Sequence, residues 1–130
     1  MTIRGITLDT GALVAIERRK QRGTRLLQLA KLRLAVLAVP VPVVAEWWRG
    51  RTDVRERILD VVHVEPVTLA VAKAAGEALS VVGRSTAVDA IVMAFAASRG
   101  DAVFTGDLDD LERLRAYFPS VRVLGCGGEA

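Results

Sequence analysis

Four carboxylates stand apart by the company they keep. Asp9 ends the apolar run Ile3 to Leu8 and is followed at once by Thr10-Gly-Ala-Leu-Val14, where a helix is expected to begin. Glu46 is the only charge in Val43-Val-Ala-Glu-Trp-Trp48, and Asp89 the only one between Ala87 and Ala97. Asp107 lies two residues past the short run Ala102 to Thr105. A carboxylate in apolar surroundings is costly unless it is paired or coordinates a metal. No Lys or Arg lies close in sequence on the Asp89 helix. Clustered carboxylates repel one another and hold protons unless a divalent cation sits between them. An oxygen-only donor set suits a hard ion, Mg²⁺ or Mn²⁺. Such an ion lowers the pKa of a bound water and offsets charge on a phosphoryl transition state. No Ser, Cys or His is placed as a nucleophile, so direct attack by water is the natural chemistry.

The elements that must position these acids follow from periodicity and caps. Strands are expected at 3–8, 34–39, 61–64, 102–105 and 121–124, each short, apolar and stopped by turn residues. Helices are expected between them. The first spans Gly11 to Arg19, and a second is capped by Thr24 after Gly23 breaks the basic run. A third starts near Pro42 and runs to about Arg49, and a fourth is capped by Thr52 or Asp53. Thr68 and Thr86 cap the next two, and the last runs from Asp107 or Leu108 to about Tyr117. Strands separated by one or two helices imply crossovers and a parallel sheet, here a three-layer α/β/α sandwich of about five strands.

That topology brings the acids to one edge. Helices that follow a strand, and helices that feed the next one, both begin near the C-terminal edge of the sheet. Asp9 and Asp107 lie at strand ends, Asp89 in the first turn of a feeding helix, and Glu46 about 6 Å along its helix at 1.5 Å per residue. Each acid also has an ordinary alternative. Asp9 and Asp107 suit helix caps, Asp89 stands at capping-box spacing from Thr86, and Glu46 is three residues from Arg49. Thr10 and Thr105 are placed to orient a carboxylate or a water, or to cap locally. Asp109 and Asp110 follow Asp107 in a first helical turn, where acids are favoured anyway; one of them, Asp110, is the candidate to reach the metal as a supporting residue, the other being solvated. Arg49, Arg51 and Arg84 are candidate phosphate contacts, with Arg18 to Arg25 a second basic run. Trp47 and Trp48 point to different sides of a helix, so at least one is expected in the core or a dimer contact. The lone His63 has no partners to form a site.

Composition sets the bounds. The 130 residues suffice for one domain, expected over 1–124 with a short flexible tail at 125–130, and 52% are hydrophobic. The longest uncharged stretch of the first half, Leu34 to Ala45, contains two prolines and is too short to span a bilayer. The N-terminus lacks the basic-then-apolar pattern of a signal peptide. The single cysteine, Cys126, excludes a disulfide framework and favours a cytoplasmic setting. The net charge of +3, with Arg supplying 15 of 18 basic residues, suits an anionic partner but equally a generally Arg-rich composition.

The ordered set Leu8-Asp-Thr-Gly-Ala-Leu13, Val41-Pro-Val-Val-Ala-Glu46, Thr86-Ala-Val-Asp-Ala-Ile91 and Thr105-Gly-Asp-Leu-Asp-Asp110 resembles the PIN-domain ribonucleases of the VapC toxin type, over almost the whole chain. Gly11 stands where that family often has Ser, a departure that puts little of the resemblance in doubt. The resemblance implies that Asp9, Glu46, Asp89 and Asp107 bind Mg²⁺ or Mn²⁺, with Thr105 supporting them by hydrogen bonding. It implies an RNA substrate, products with a 5′-phosphate and a 3′-hydroxyl, a homodimer, and a cognate antitoxin that covers the acidic groove. The alternative within the family is a PIN-like module that binds RNA or protein without catalysis. A receiver domain fits poorly, since no lysine follows strand five. A dehalogenase-like phosphatase fails because Asp9-Thr-Gly11 is not Asp-x-Asp.

Overall fold

A computed structural model describes residues 4–126. Five strands form one sheet in the order β3-β2-β1-β4-β5, and every neighbouring pair is parallel. The strands are β1 (Arg4–Leu8), β2 (Ala35–Pro40), β3 (His63–Glu65), β4 (Ala102–Thr105) and β5 (Val123–Gly125). Seven helices connect them: α1 (Thr10–Glu17), α2 (Gln21–Lys31), α3 (Val41–Trp47), α4 (Asp53–Val61), α5 (Leu69–Val82), α6 (Ala87–Arg99) and α7 (Leu108–Leu114). The helices α1, α2 and α4 pack together as one layer, α5, α6 and α7 as the other, and α3 touches members of both. This is the α/β/α sandwich expected from the sequence. Among the described residues no helix is long and apolar enough to cross a membrane.

The central strands are buried on both faces, which is why they read as nearly continuous apolar runs. Leu8, Leu37, Val39 and Val103 are fully buried, and Leu13, Met93 and Leu111 fill the space between sheet and helices. Each such side chain contributes about 1.5–3 kcal/mol by leaving water. Helix α6 is apolar nearly all round, and Ala90 and Val92 to Ala96 are buried accordingly.

Several boundaries differ from expectation for identifiable reasons. Helix α2 begins at Gln21, not after Thr24, and Gly23 lies inside it. A Cβ on Gly23 would stand 3.0 Å from the backbone nitrogen of Ile16, so this glycine lets α2 approach α1 closely and does not break the chain. Helix α3 ends at Trp47, two residues short of Arg49. Val61 closes α4, so β3 starts only at His63. Helix α7 stops at Leu114, the Arg115 side chain donates to the Val121 carbonyl at 3.0 Å, and β5 starts at Val123. The sheet does not end at Leu124. Gly125 pairs with Thr105, and the Cys126 N–H donates to the Thr105 carbonyl at 2.8 Å. Two of the residues assigned to a flexible tail therefore belong to the sheet edge, and the remainder, 127–130, lies outside the described residues.

Candidate active site

The site begins with strand register. Leu8 lies opposite Phe104 in the β1–β4 ladder, so the next residues, Asp9 and Thr105, face each other at the C-terminal edge. Asp9 is 6% exposed. Its Oδ1 accepts the Ala12 N–H at 2.8 Å, capping α1, and the Gly106 N–H at 3.2 Å; its Oδ2 accepts the Thr105 hydroxyl. That hydroxyl in turn accepts the Asp107 N–H at 2.9 Å. Thr105 thus ties the two strand-end aspartates together. Asp107 also caps α7 through the Asp110 N–H at 3.3 Å. The capping alternatives are therefore real for Asp9 and Asp107, and they coexist with convergence at the sheet edge.

Close approach of the two loops depends on a glycine pair. A Cβ on Gly106 would come 2.6 Å from the Gly11 Cα, and a Cβ on Gly11 would come equally close to the Gly106 Cα, at 2.6 Å. Backbone touches backbone here, which leaves no room for any side chain. Gly11 is therefore fitted to this contact. The signal was available as a glycine just past each of two neighbouring strand tips, but nothing local says that the two meet.

Glu46 reaches the same edge from α3. The Thr10 hydroxyl donates to its Oε1 at 2.6 Å, while Arg49 turns away and donates to the Trp48 carbonyl at 2.9 Å. The alternative Glu46–Arg49 pairing is therefore not the one formed. Asp89 enters from the first turn of α6. Thr86 caps that helix by accepting the Asp89 N–H at 3.1 Å, and no reciprocal bond from the Thr86 N–H to the Asp89 carboxylate occurs among the described residues. The Asp89 carboxyl is pushed up to about 6. Burial is the main cause, partly offset by the Thr86 hydroxyl, and the charges of Asp9, Asp110 and Glu46 raise it further. Burial also raises Asp9, against the pull of Thr105 and of the Ala12 and Gly106 N–H groups, with the charge of Asp107 adding to the rise.

The four acids influence one another, and none lies within ion-pair distance of an Arg or Lys among the described residues. Other acids do find cations: Asp101 bonds Arg99 at 2.9 Å, and Asp110 pairs with Arg113. Among the described residues no three His, Cys, Asp or Glu side chains stand close enough to hold an ion as they are. The set matches a hard divalent ion in its oxygen-only donor chemistry and in having no paired cation among the described residues.

The remaining candidates are distributed unevenly. Asp109 is exposed, and Asp110 is partly committed to Arg113. Arg84 is exposed in the turn just before α6, at the acidic edge. Arg51 pairs with Asp53 and Glu56, both at 3.3 Å. Its loop is held by Arg55, which donates to the Gly50 carbonyl at 2.9 Å and pairs with Glu17 at 3.2 Å. Glu17 ends α1, roughly 10 Å along that helix from Thr10. Arg51 is thus held within the α3–α4 loop, while Arg49 is exposed three residues past Glu46. Trp47, 3% exposed, donates its Nε1 to the same Glu17 at 2.9 Å and is a core residue. Glu17, which links α1, α3 and α4, had no sequence signal. His63 is exposed on the edge strand β3. Cys126 is buried, and its thiol is pushed up to about 12 by burial and then by the Asp9 charge, so it stays neutral and is no nucleophile.

A five-stranded parallel α/β/α domain with acids gathered at the C-terminal edge defines a class. The chain matches the PIN domain over residues 6–117 and belongs to the PIN-domain family. Among curated proteins no sequence relative matches. Solved structures do. A chain of VapBC2 from Rickettsia felis, bound to a DNA fragment from its promoter, superposes with a TM-score of 0.73 at 15% identity, covering 93% of this chain and 98% of that one. A chain of DNA-bound VapBC from Salmonella typhimurium gives 0.69 at 19% identity, covering 97% and 100%. FitAcB from Neisseria gonorrhoeae gives 0.66 at 18%, covering 93% and 97%.

Proposed function

We propose that this chain is a divalent-metal-dependent endoribonuclease and the toxin of a toxin–antitoxin pair. The observation that carries the reading is that Asp9, Glu46, Asp89 and Asp107 reach one edge of the sheet with no Arg or Lys within ion-pair distance among the described residues. Membership of the PIN family and likeness to toxin–antitoxin complexes support it. Asp9, Glu46, Asp89 and Asp107 would hold Mg²⁺ or Mn²⁺. When bound, the ion supplies an acidified water and offsets charge on the scissile phosphate. Asp9 is fixed by three donors and serves as the rigid member. Thr105 holds Asp107 in register with it, and Thr10 holds Glu46. The Asp89 carboxyl, raised by burial and by its acidic neighbours, is one that a bound cation would relieve. The partners are an RNA, a cognate antitoxin that masks the acidic edge, and a second copy of the chain, in the cytoplasm.

The test is cleavage. The purified protein should cut RNA in Mg²⁺ or Mn²⁺, stop in EDTA, and lose activity on Asp9→Asn with its fold intact. Cleavage that survives both controls sinks the metal-nuclease reading. RNA binding without any cleavage favours a non-catalytic PIN module.

A further inference from the structure

We propose that the groove along α1, beside the carboxylates, is the track for a single-stranded RNA backbone, gripped by Arg18 and Lys20. The inference rests on the nuclease reading and names how that site holds its substrate. An acidic edge repels a polyanion, so affinity must come from cations set beside it. Arg49 and Arg51 belong with the α3–α4 loop, and Arg51 is already paired.

A groove of about 220 Å³ meets the need better. One end is the Gly11–Gly106 contact that flanks Asp9, the other is lined by Arg18 and Lys20, and Val14, Ala15 and Cys126 complete the lining. From Gly11 to Arg18 is roughly 10 Å along the helix, a short reach for a flexible polymer that enters at the cations and passes the acids. Neither Arg18 nor Lys20 is within ion-pair distance of an acid among the described residues.

The backbone fixes their direction. Arg19 adopts φ 57°, the left-handed region usually left to glycine at a helix end. Its N–H bonds the Ile16 carbonyl at 3.1 Å, and the Lys20 N–H bonds the Ala15 carbonyl at 2.9 Å. The chain turns sharply, so Arg18 and Lys20 line this groove while Arg19 lines a separate one between α1, α2 and α4. Arg18 closes α1, and Lys20 precedes α2 without a side-chain capping bond, so neither side chain carries a visible structural duty.

The experiment is fluorescence anisotropy of a short labelled single-stranded RNA, titrated in EDTA over a range of salt. Wild type is compared with Arg18→Gln/Lys20→Gln and with a charge-matched control at the opposite sheet edge, Arg33→Gln/Arg122→Gln. The groove variant should bind roughly tenfold more weakly, and its log–log salt slope should fall by about 1.4, two contacts at about 0.7 each. The control should change less than about twofold. Thermal melts confirm that both variants fold. Equal losses in both variants, or none in either, overturn the proposal. Metal-dependent cleavage by wild type with an unchanged KM in the groove variant would overturn it and leave the nuclease reading standing. A wild type that neither binds nor cleaves RNA would overturn both.

Discussion

Replacing Asp89 by Asn should stabilise the metal-free protein at neutral pH. The Asp89 carboxyl is pushed from 3.8 to about 6. Below 3.8 it is protonated both folded and unfolded, and contributes nothing to the pH dependence. Between 3.8 and about 6 the folded chain keeps a proton that the unfolded chain has released, so stability falls as pH rises through that window. Above it, the folded protein carries the whole penalty of a half-buried charge facing Asp9, Asp110 and Glu46. Two units correspond to about 3 kcal/mol at full value. Solvent screening at this half-buried position reduces that to about 1 kcal/mol. Asp89→Asn mimics the protonated form, so in EDTA near pH 7.5 it should melt roughly 3–5 °C above wild type. The difference should shrink as pH falls through about 6 and vanish below 3.8, where Asp89 is protonated folded and unfolded alike. Adding Mn²⁺ should reverse the order, stabilising wild type by about 1.4 kcal/mol at ten times its Kd and the variant far less. The assay is a set of melts across pH with EDTA or Mn²⁺. A variant less stable than wild type in EDTA at pH 7.5 would refute the reasoning and make Asp89 a structural anchor.

Other perturbations separate scaffold from site. Gly106→Ala puts a Cβ 2.6 Å from the Gly11 Cα and should cost about 1–3 kcal/mol by chemical denaturation, with cleavage lost as Asp9 and Asp107 move apart. Thr105→Val removes the hydroxyl shared by Asp9 and Asp107; stability should fall by about 1–3 kcal/mol, and Thr105→Ser should restore both stability and cleavage. Glu17→Gln weakens the link to Trp47 and Arg55 at the far end of α1. It should lower the melting temperature by a few degrees while kcat stays at the wild-type level.

The parts of the fold that are legible in the sequence are those governed by local rules. The run Ile3 to Leu8 stopped by Asp9 marks a strand tip, and Thr68 and Thr86 cap α5 and α6 by accepting the Val71 and Asp89 N–H groups. The lone charge of Asp89 in an apolar helix marks an acid that needs a reason to be there. What stayed hidden is non-local. Gly23 reads as a breaker because its close contact with Ile16 is invisible along the chain. Arg33, like Arg19, closes its helix in the left-handed region, at φ 62°, where a Gly rule finds nothing. Gly125 and Cys126 read as a tail because their partner, Thr105, lies 20 residues or more away in sequence and only the sheet brings it near. For the same reason the four acids can be assigned to one edge by topology, while their links through Thr10 and Thr105 emerge only from the folded structure.

The union of the four carboxylates in one site is tested most directly by Mn²⁺ titration followed by electron paramagnetic resonance. Wild type is compared with Asp9→Asn, Glu46→Gln, Asp89→Asn and Asp107→Asn, each first shown to be folded. Every substitution should weaken the same Mn²⁺ binding event. Mn²⁺ affinity that is unchanged across all four variants, or no binding by wild type, would contradict a shared metal site.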